Sequence, residues 1–449
     1  MKHIPAPLTE AMNVLEQGGK EGWLVGGCVR DSLMGKIPHD WDVTTSASPM
    51  EMISLFSGYR LIETGLKHGT VTVVISGEQI EITTFRIDGE YRDNRRPSSV
   101  SFTSDISEDL SRRDFTVNAM AYSPTRGLCD LFGGREDLEK KLIRCVGDPD
   151  KRFGEDGLRI LRALRFASVL DFSIHKDTAE SVHRNRELLL NISAERIFSE
   201  FTKLLCGPGA ARILREYPDV IGVFIPEVLP CVGFDQHTPW HNRDVWEHTV
   251  TALESVPSDP IMRLSMFFHD LGKPESQTMD GSVAHYRGHP EKSAKIADTA
   301  LDRLRSDNFT RKTVRTVVSA HETVVKMKAD KKEVKKMLRR FGVEISKMLI
   351  LSAKADYAAK VHVPGQAENF RAIEELMAEI LARGECFDLS GLAADGKTLI
   401  ASGIPRGKEL GNILDTLLTE VIEETLENER DALISRALEI SAANIPAKN

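Results

Sequence analysis

The chain has 449 residues, 41% of them apolar and 28% charged, and carries a formal net charge of −8. That length supports two to four domains with sizeable cores, and the composition excludes disordered and fibrous classes. The first residues lack the basic-then-apolar layout of a signal peptide, and no window reaches 18 consecutive apolar residues. A cytoplasmic protein without a membrane span is expected. Six cysteines (Cys28, Cys129, Cys145, Cys206, Cys231, Cys386) form no CxxC pair and read as reduced thiols. The acidic balance argues weakly against a nucleic-acid partner, yet arginines cluster in "YRDNRR" (91–96), "SRRDF" (111–115) and "LRILRALRF" (158–166).

In chain order, residues 8–20 predict a helix ending at Gly18-Gly19, and "GWLVGG" (22–27) a strand into a glycine turn. A helix follows through "CVRDSLMG", then a strand at "DWDVTT" and a Ser-capped helix at "SPMEMISLF". "TVTVVI" (70–75) and "QIEITTF" (79–85) alternate apolar and polar residues around "SGE", which predicts a hairpin. After about residue 136 the strand signals stop, and apolar spacings of three and four predict an almost entirely helical remainder.

Asp40 and Asp42 lie two residues apart, so on an extended strand both carboxylates point the same way. Like charges held that close call for a cation between them, either a basic side chain or a divalent metal. Gly26-Gly27 at a strand end lets backbone N–H groups approach a phosphate. Phosphates at one end and paired oxygen ligands at the other describe a nucleoside triphosphate held with Mg²⁺, with Glu81 a candidate third carboxylate. For the bare triplet, a solvated turn with Asp capping is the alternative.

"EDGLR" places Glu155, Asp156 and Arg159 at the expected start of a helix, with Asp156 and Arg159 on one face. An acceptor beside a donor matches the pairing edges of both cytosine and adenine. Uracil and guanine present the reverse pattern and would meet a mismatch of a few kcal/mol (~1–3 per unpaired group). An i,i+3 salt bridge within the helix is the plain alternative.

"GGCVRDSLMGKIPHDWDVTTSASP" resembles the signature of the class II tRNA nucleotidyltransferase and bacterial poly(A) polymerase family, within the polymerase-β-like nucleotidyltransferases. "RRDFTVNAMAY" (112–122), "DLFGGREDLEKKLIRCVGDPDKRFGEDGLRILRALRFA" (130–167) and "SAERIFSEF" (193–201) follow in that family's order. The resemblance implies an α+β head (1–135), then an all-α neck (136–210), body (211–365) and tail (366–449). It implies that Asp40 and Asp42 hold Mg²⁺ and activate an RNA 3′-hydroxyl, and that Gly26, Gly27 and Arg30 cradle phosphates. Asp156 and Arg159, with Glu155, would select the base. Arg113 and Asp114 would meet ribose and phosphate with Asn118 nearby, and Arg162 and Arg165 phosphates or a stacked base. The expected partners are the tRNA acceptor arm, CTP and ATP. The segment 88–102 matches, at full length, the loop that separates CCA-adding from CC-only members. An A-adding enzyme and a poly(A) polymerase share the head motifs and remain open.

His248, the pair His269-Asp270 in "HDLGKP", and Asp356 follow the order H…HD…D, which resembles the metal site of HD domains. A divalent ion is implied there, with His289 and His321 available to a second. His237, His241 and His285 read as surface or capping residues. Many HD relatives are phosphohydrolases, so the different-class reading is an HD phosphohydrolase with an RNA-binding head. Oligomeric state is not legible in the sequence.

Overall fold

In the computed structural model the described residues are 4–89, 99–240, 242–361 and 363–443. Most of the expected selectivity loop (residues 90–98) and His241 therefore lie outside the described residues. The chain forms two compact units, residues 1–229 with 302–306 and residues 230–301 with 307–449.

Among the described residues, the first 130 positions carry nine strands: β1 (Gly22–Val25), β2 (Asp42–Thr45), β3 (Arg60–Ile62), β4 (Thr70–Ile75), β5 (Glu78–Thr84), β6 (Arg86–Asp88), β7 (Val100–Phe102), β8 (Met120–Ser123) and β9 (Gly127–Asp130). Seven form one mixed sheet in the order β3-β4-β5-β2-β1-β8-β9, while β6 and β7 pair separately. The expected hairpin is β4–β5, with Val71, Val73, Ile80 and Ile82 buried on one face. The helix Pro49–Leu55 starts with Ser48 and Glu51 in a reciprocal capping box and Pro49 in its first turn.

Two pairings fix the functional edge. β1 runs antiparallel to β2 with Val25 opposite Asp42, and β2 runs parallel to β5 with Val43 opposite Ile82. One residue back along β2 and β5 stand Asp42 and Glu81. Period-two alternation then puts Asp42, Thr44, Glu81 and Thr83 on the same face.

Strands do not stop entirely after residue 136. Leu142–Ile143 pairs parallel with Ser173–Ile174, and Thr278–Asp280 forms a hairpin with Val283–His285. Each is two or three residues long, too short to leave a period-two signature in the sequence. Otherwise helices dominate, from Pro149–Glu155, Leu158–Leu170 and Ala194–Leu205 in the first unit to Val245–Glu254, Pro260–Phe268, Asn308–Ala320 and Lys331–Ala358 in the second. The last of these is interrupted at Gly342, whose φ of 74° is left-handed. The helices Gln366–Ala382, Lys408–Ile422 and Arg430–Ala443 follow. All six cysteines are free thiols, and no helix among the described residues is long and apolar enough to cross a membrane.

Gly134 packs against the turn that carries the downstream end of "RRDFTVN". A Cβ added there would lie 2.2 Å from the Thr116 carbonyl oxygen, so backbone would have to move. Gly134→Ala should destabilise the protein by about 1–3 kcal/mol in urea unfolding.

Candidate active site and a second polar centre

Asp42 opens β2 beside the Gly26 turn. Gly26 has φ 74°, and a Cβ there would meet the Arg113 guanidinium at 3.0 Å and an Asp42 carboxylate oxygen at 4.0 Å. Only glycine fits that conformation and that approach. Asp42, Glu81, Thr44, Thr83, Arg112 and Arg113 line one small cavity. Neither the Asp42 nor the Asp40 carboxylate makes a hydrogen bond or ion pair to another described residue. Burial raises the Asp42 carboxyl above its usual range, Arg113 opposes that, and Asp40 adds to it. Asp40 stands before the strand, not on it as the two-residue spacing assumed; it is exposed and does not line the cavity. Two unpartnered oxygen-donor groups beside a third fit a hard divalent cation such as Mg²⁺.

Behind this edge lies a charged network. Asp114 is buried; its Oδ2 accepts from Arg162 Nε (2.9 Å) and Nη2 (2.6 Å), and its Oδ1 accepts from Phe115 N (2.8 Å) and Asn118 Nδ2 (3.3 Å). Arg30 donates to Asn118 Oδ1 at 2.6 Å and pairs with Asp31 at 2.8 Å. Arg165 pairs with Glu200 at 2.5 Å and lies 3.7 Å from the centroid of the Phe166 ring. Arg30 and Arg162 share that ring at 5.3 and 5.2 Å, so one aromatic ring meets three guanidiniums.

Asp156 and Arg159 are not an intrahelical pair. Asp156 is extended (φ −138°, ψ 105°) in the break between the helices Pro149–Glu155 and Leu158–Leu170. Its Oδ1 accepts from Leu158 N and its Oδ2 from Arg196 at 2.9 Å. Arg159 instead pairs with Glu155 (2.6 Å) and donates to the carbonyls of Arg152 and Arg112. The three-residue spacing assumed one continuous helix, whereas the extended backbone of Asp156 interrupts it; Gly157 after it is helical, and a Cβ there would come within 2.8 Å of the Leu188 carbonyl oxygen.

Four groups in this region carry no role in the sequence reading. Asp109, fully buried, holds Arg112 (2.6 Å) and Arg113 (3.3 Å). Its i+3 and i+4 spacing to those arginines on a helix end was the available signal. Arg196 and Glu200 act across elements, and no local spacing announces them, whereas the signal for Phe166 was its spacing to Arg162 and Arg165 on one helix.

A second polar centre lies in the second unit. His248, His269, Asp270 and Asp356 bring their ligand atoms together, and Asp270, His289 and His321 form an adjoining set that shares Asp270. All six are at most 5% exposed. Nδ1 of His269, His289 and His321 donates to the carbonyls of Met266, Tyr286 and Val318 at 2.7–2.8 Å, and His248 Nδ1 faces the Ala359 carbonyl at 3.4 Å. A carbonyl only accepts, so in the neutral rings the Nε2 lone pairs are aimed inward. They converge on carboxylates: His248 Nε2 is 3.1 Å from Asp270 Oδ2 and 3.0 Å from Asp356 Oδ1, and His289 Nε2 is 3.2 Å from Asp270 Oδ1. Neither Asp270 Oδ2 nor Asp356 Oδ1 accepts a hydrogen bond of proper geometry. Acceptors facing acceptors in a buried site fit a divalent cation with imidazole and carboxylate ligands. His237 and His285 are exposed and belong to neither ligand set, although His285 lines the same pocket as Asp270, His289 and His321.

Burial works to raise the Asp114 carboxyl, but Arg162, Arg159 and Asn118 hold it down to about 2. Against an unfolded value near 3.8 this contributes about 2 kcal/mol of stability, present above pH 4 and lost as pH falls through 2. Asp114→Asn should therefore be less stable than the parent at pH 7, with the gap narrowing between pH 4 and 2 in denaturant titrations.

Three known domain families match the chain: the poly A polymerase head domain at residues 22–144, the probable RNA and SrmB-binding site of polymerase A at 171–218, and a tRNA nucleotidyltransferase domain 2 at 291–437. The CCA-adding enzyme of Lactobacillus helveticus is 33% identical over 443 residues, covering 96% of each chain. That of Lactobacillus gasseri is 46% identical over 444 residues, covering 96% of this chain and 97% of its own. Among solved structures, the Bacillus stearothermophilus CCA-adding enzyme in complex with CTP superposes with a TM-score of 0.70 at 28% identity, covering 98% of this chain and 99% of that one. With a polymerase-β-like head followed by helices, and relatives matched end to end, the chain belongs to the class II CCA-adding enzymes of the bacterial poly(A) polymerase family.

Proposed function

We infer that this chain extends the 3′ end of tRNA with C, C and A from CTP and ATP, without a nucleic-acid template. The observation that carries the reading is the Asp42–Glu81 edge, with unpartnered carboxylates locked by strand register beside Arg113 and the Gly26 turn. The 3′-hydroxyl oxygen attacks the α-phosphorus, its proton is lost, and the bond to the β-phosphate oxygen breaks to release pyrophosphate. Asp40 and Asp42, with Glu81 beside them, are the residues that would hold Mg²⁺, which when bound supplies charge neutralisation at the attacking and leaving oxygens.

Gly26 and Gly27 leave room for phosphates, and Arg113 lies beside Gly26. Arg30, Asp114, Asn118, Arg162 and Arg165 support that edge as one network and present ribose and phosphate contacts. Asp156 offers an acceptor and Arg159 a donor to the base. Arg196 and Glu155 orient them, which favours C and A over U and G. We divide the chain into head (1–135), neck (136–210), body (211–365) and tail (366–449), the last two holding the acceptor arm by shape and backbone contacts. Six free thiols fit a cytoplasmic setting.

A second reading concerns the body. The inward-facing Nε2 atoms favour an HD-type centre for two divalent ions, one held by His248, His269 and Asp356 and one by His289 and His321, with Asp270 shared. Its chemistry would be hydrolysis of a phosphoester: water oxygen bonds to phosphorus, the ester P–O bond breaks, and the leaving alcohol takes a proton.

Purified protein with Mg²⁺, CTP and ATP should add three nucleotides to tRNA ending before CCA and one to tRNA ending in CC, and leave an unrelated RNA unextended. Long tails on all three would identify a poly(A) polymerase, and growth only on the CC-ending tRNA an A-adding enzyme. Asp42→Ala should lower the rate by a factor of about 10³ or more. Metal analysis should find two divalent ions per chain in the body, one in His289→Ala and none in Asp270→Ala, with CCA addition retained in both variants.

A further inference from the structure

Asp42 stands between two unlike flanks. Gly26, Gly27 and Arg30 follow β1, and Asn118 lies in the turn that leads into β8, so the groups for the incoming nucleotide stand on the β1–β8 side of β2. On the other side, β5 and β4 carry the cavity that Asp42 shares with Glu81, Thr44, Thr70 and Thr83. In phosphoryl transfer the attacking oxygen enters opposite the leaving oxygen. With the triphosphate on the β1 side, the RNA end approaches from the β5 side.

The cavity is small and rich in hydroxyl groups. It encloses about 160 Å³, well below the ~300 Å³ at which pockets begin to hold a drug-sized ligand, so it admits a sugar ring and leaves a base outside. Thr70 lies directly opposite Thr83 in the β4–β5 ladder, and their Oγ1 atoms are 2.9 Å apart. Thr44 Oγ1 donates to the Thr83 carbonyl at 2.9 Å. Within the Thr70–Thr83 pair one hydroxyl donates to the other, which leaves one proton for an outside acceptor. All three threonine oxygens keep lone pairs for an outside donor, and a sugar hydroxyl is acceptor and donor at once. Arg86 and Arg112 line the same cavity, paired with Asp88 (3.4 Å) and Asp109 (2.6 Å), and supply cations for a phosphodiester attached to that sugar.

The reaction itself calls for a site that reads sugar and not base. The last base of the growing end changes from step to step: first the residue before CCA, then the first C, then the second. A subsite built around the base would have to fit each of them in turn. The ribose is the same every time, and its 2′-hydroxyl is the group that distinguishes an RNA end from a DNA end.

We propose that this cavity seats the terminal ribose of the RNA being extended, with its 3′-hydroxyl toward Asp42 and Glu81 and its 2′-hydroxyl on the Thr70–Thr83 pair. Thr70 and Thr83 are then specificity-determining residues for a ribonucleotide end. The assignment rests on the transferase reaction proposed above. The test uses tRNA ending in CC, with either ribose or 2′-deoxyribose in the last nucleotide and the 3′-hydroxyl intact in both. With the full chain, Mg²⁺ and ATP, kcat/KM for AMP addition should favour the ribose end by about tenfold. Thr83→Val and Thr70→Val should each cut that ratio to about twofold by slowing the ribose end, with KM for ATP unchanged within about twofold. Thr83→Ser keeps the hydroxyl and should keep the ratio. Equal kcat/KM for the two ends in the parent overturns the proposal. So does a ratio that survives both valine substitutions, or one that Thr83→Ser abolishes as fully as Thr83→Val. Absence of addition to either end by the parent overturns the transferase reading as well.

Discussion

The head depends on the pairing of β2 between an antiparallel β1 and a parallel β5. That arrangement puts Asp42 opposite the last residue before the Gly26 turn and level with Glu81, so three chemically distinct elements meet at one sheet edge. A one-residue slip in either pairing would turn Asp42 to the opposite face and replace it with Val43. Burial and Asp40 both disfavour a charged Asp42 at this edge, Arg113 offsets part of that, and a divalent cation held there would offset the rest.

The layer behind the edge solves the opposite problem. Asp109, Asp114 and Glu200 are buried carboxylates, and each is ion-paired with arginines: Arg112 and Arg113, Arg162, and Arg165. Buried pairs of this kind add little net stability over apolar packing, but breaking one leaves an uncompensated charge. Their value is positional. They hold guanidinium groups at fixed points on a rigid scaffold, where a flexible exposed arginine would lose much of its selectivity to motion. On the proposed function, base choice would rest on the same principle, with Asp156 held by Arg196 and Arg159 by Glu155.

Much of this was legible in the sequence. Strand and helix order in the head follows the alternation of β4 and β5, the Ser48 cap and the glycine turns, because those signals are local. The six histidines and aspartates of the body centre were legible as a set because their spacing on successive helices survives in one dimension. The Asp156–Arg159 spacing was read on one continuous helix, but Asp156 is extended between the helices Pro149–Glu155 and Leu158–Leu170. Arg196 and Glu200 were silent because each takes its meaning from a partner on another element, Asp156 and Arg165, and no short window of sequence contains both.

The most direct test of the account is single-turnover incorporation of CTP and UTP on tRNA ending before CCA, by the parent chain and by Asp156→Ala. If protein side chains replace a template, the parent should favour CTP by at least a hundredfold, and the substitution should cut that preference by about tenfold or more, mainly by slowing CTP. A preference for CTP that survives the loss of Asp156 would contradict the account, and would place base selection elsewhere in the chain or in the tRNA itself.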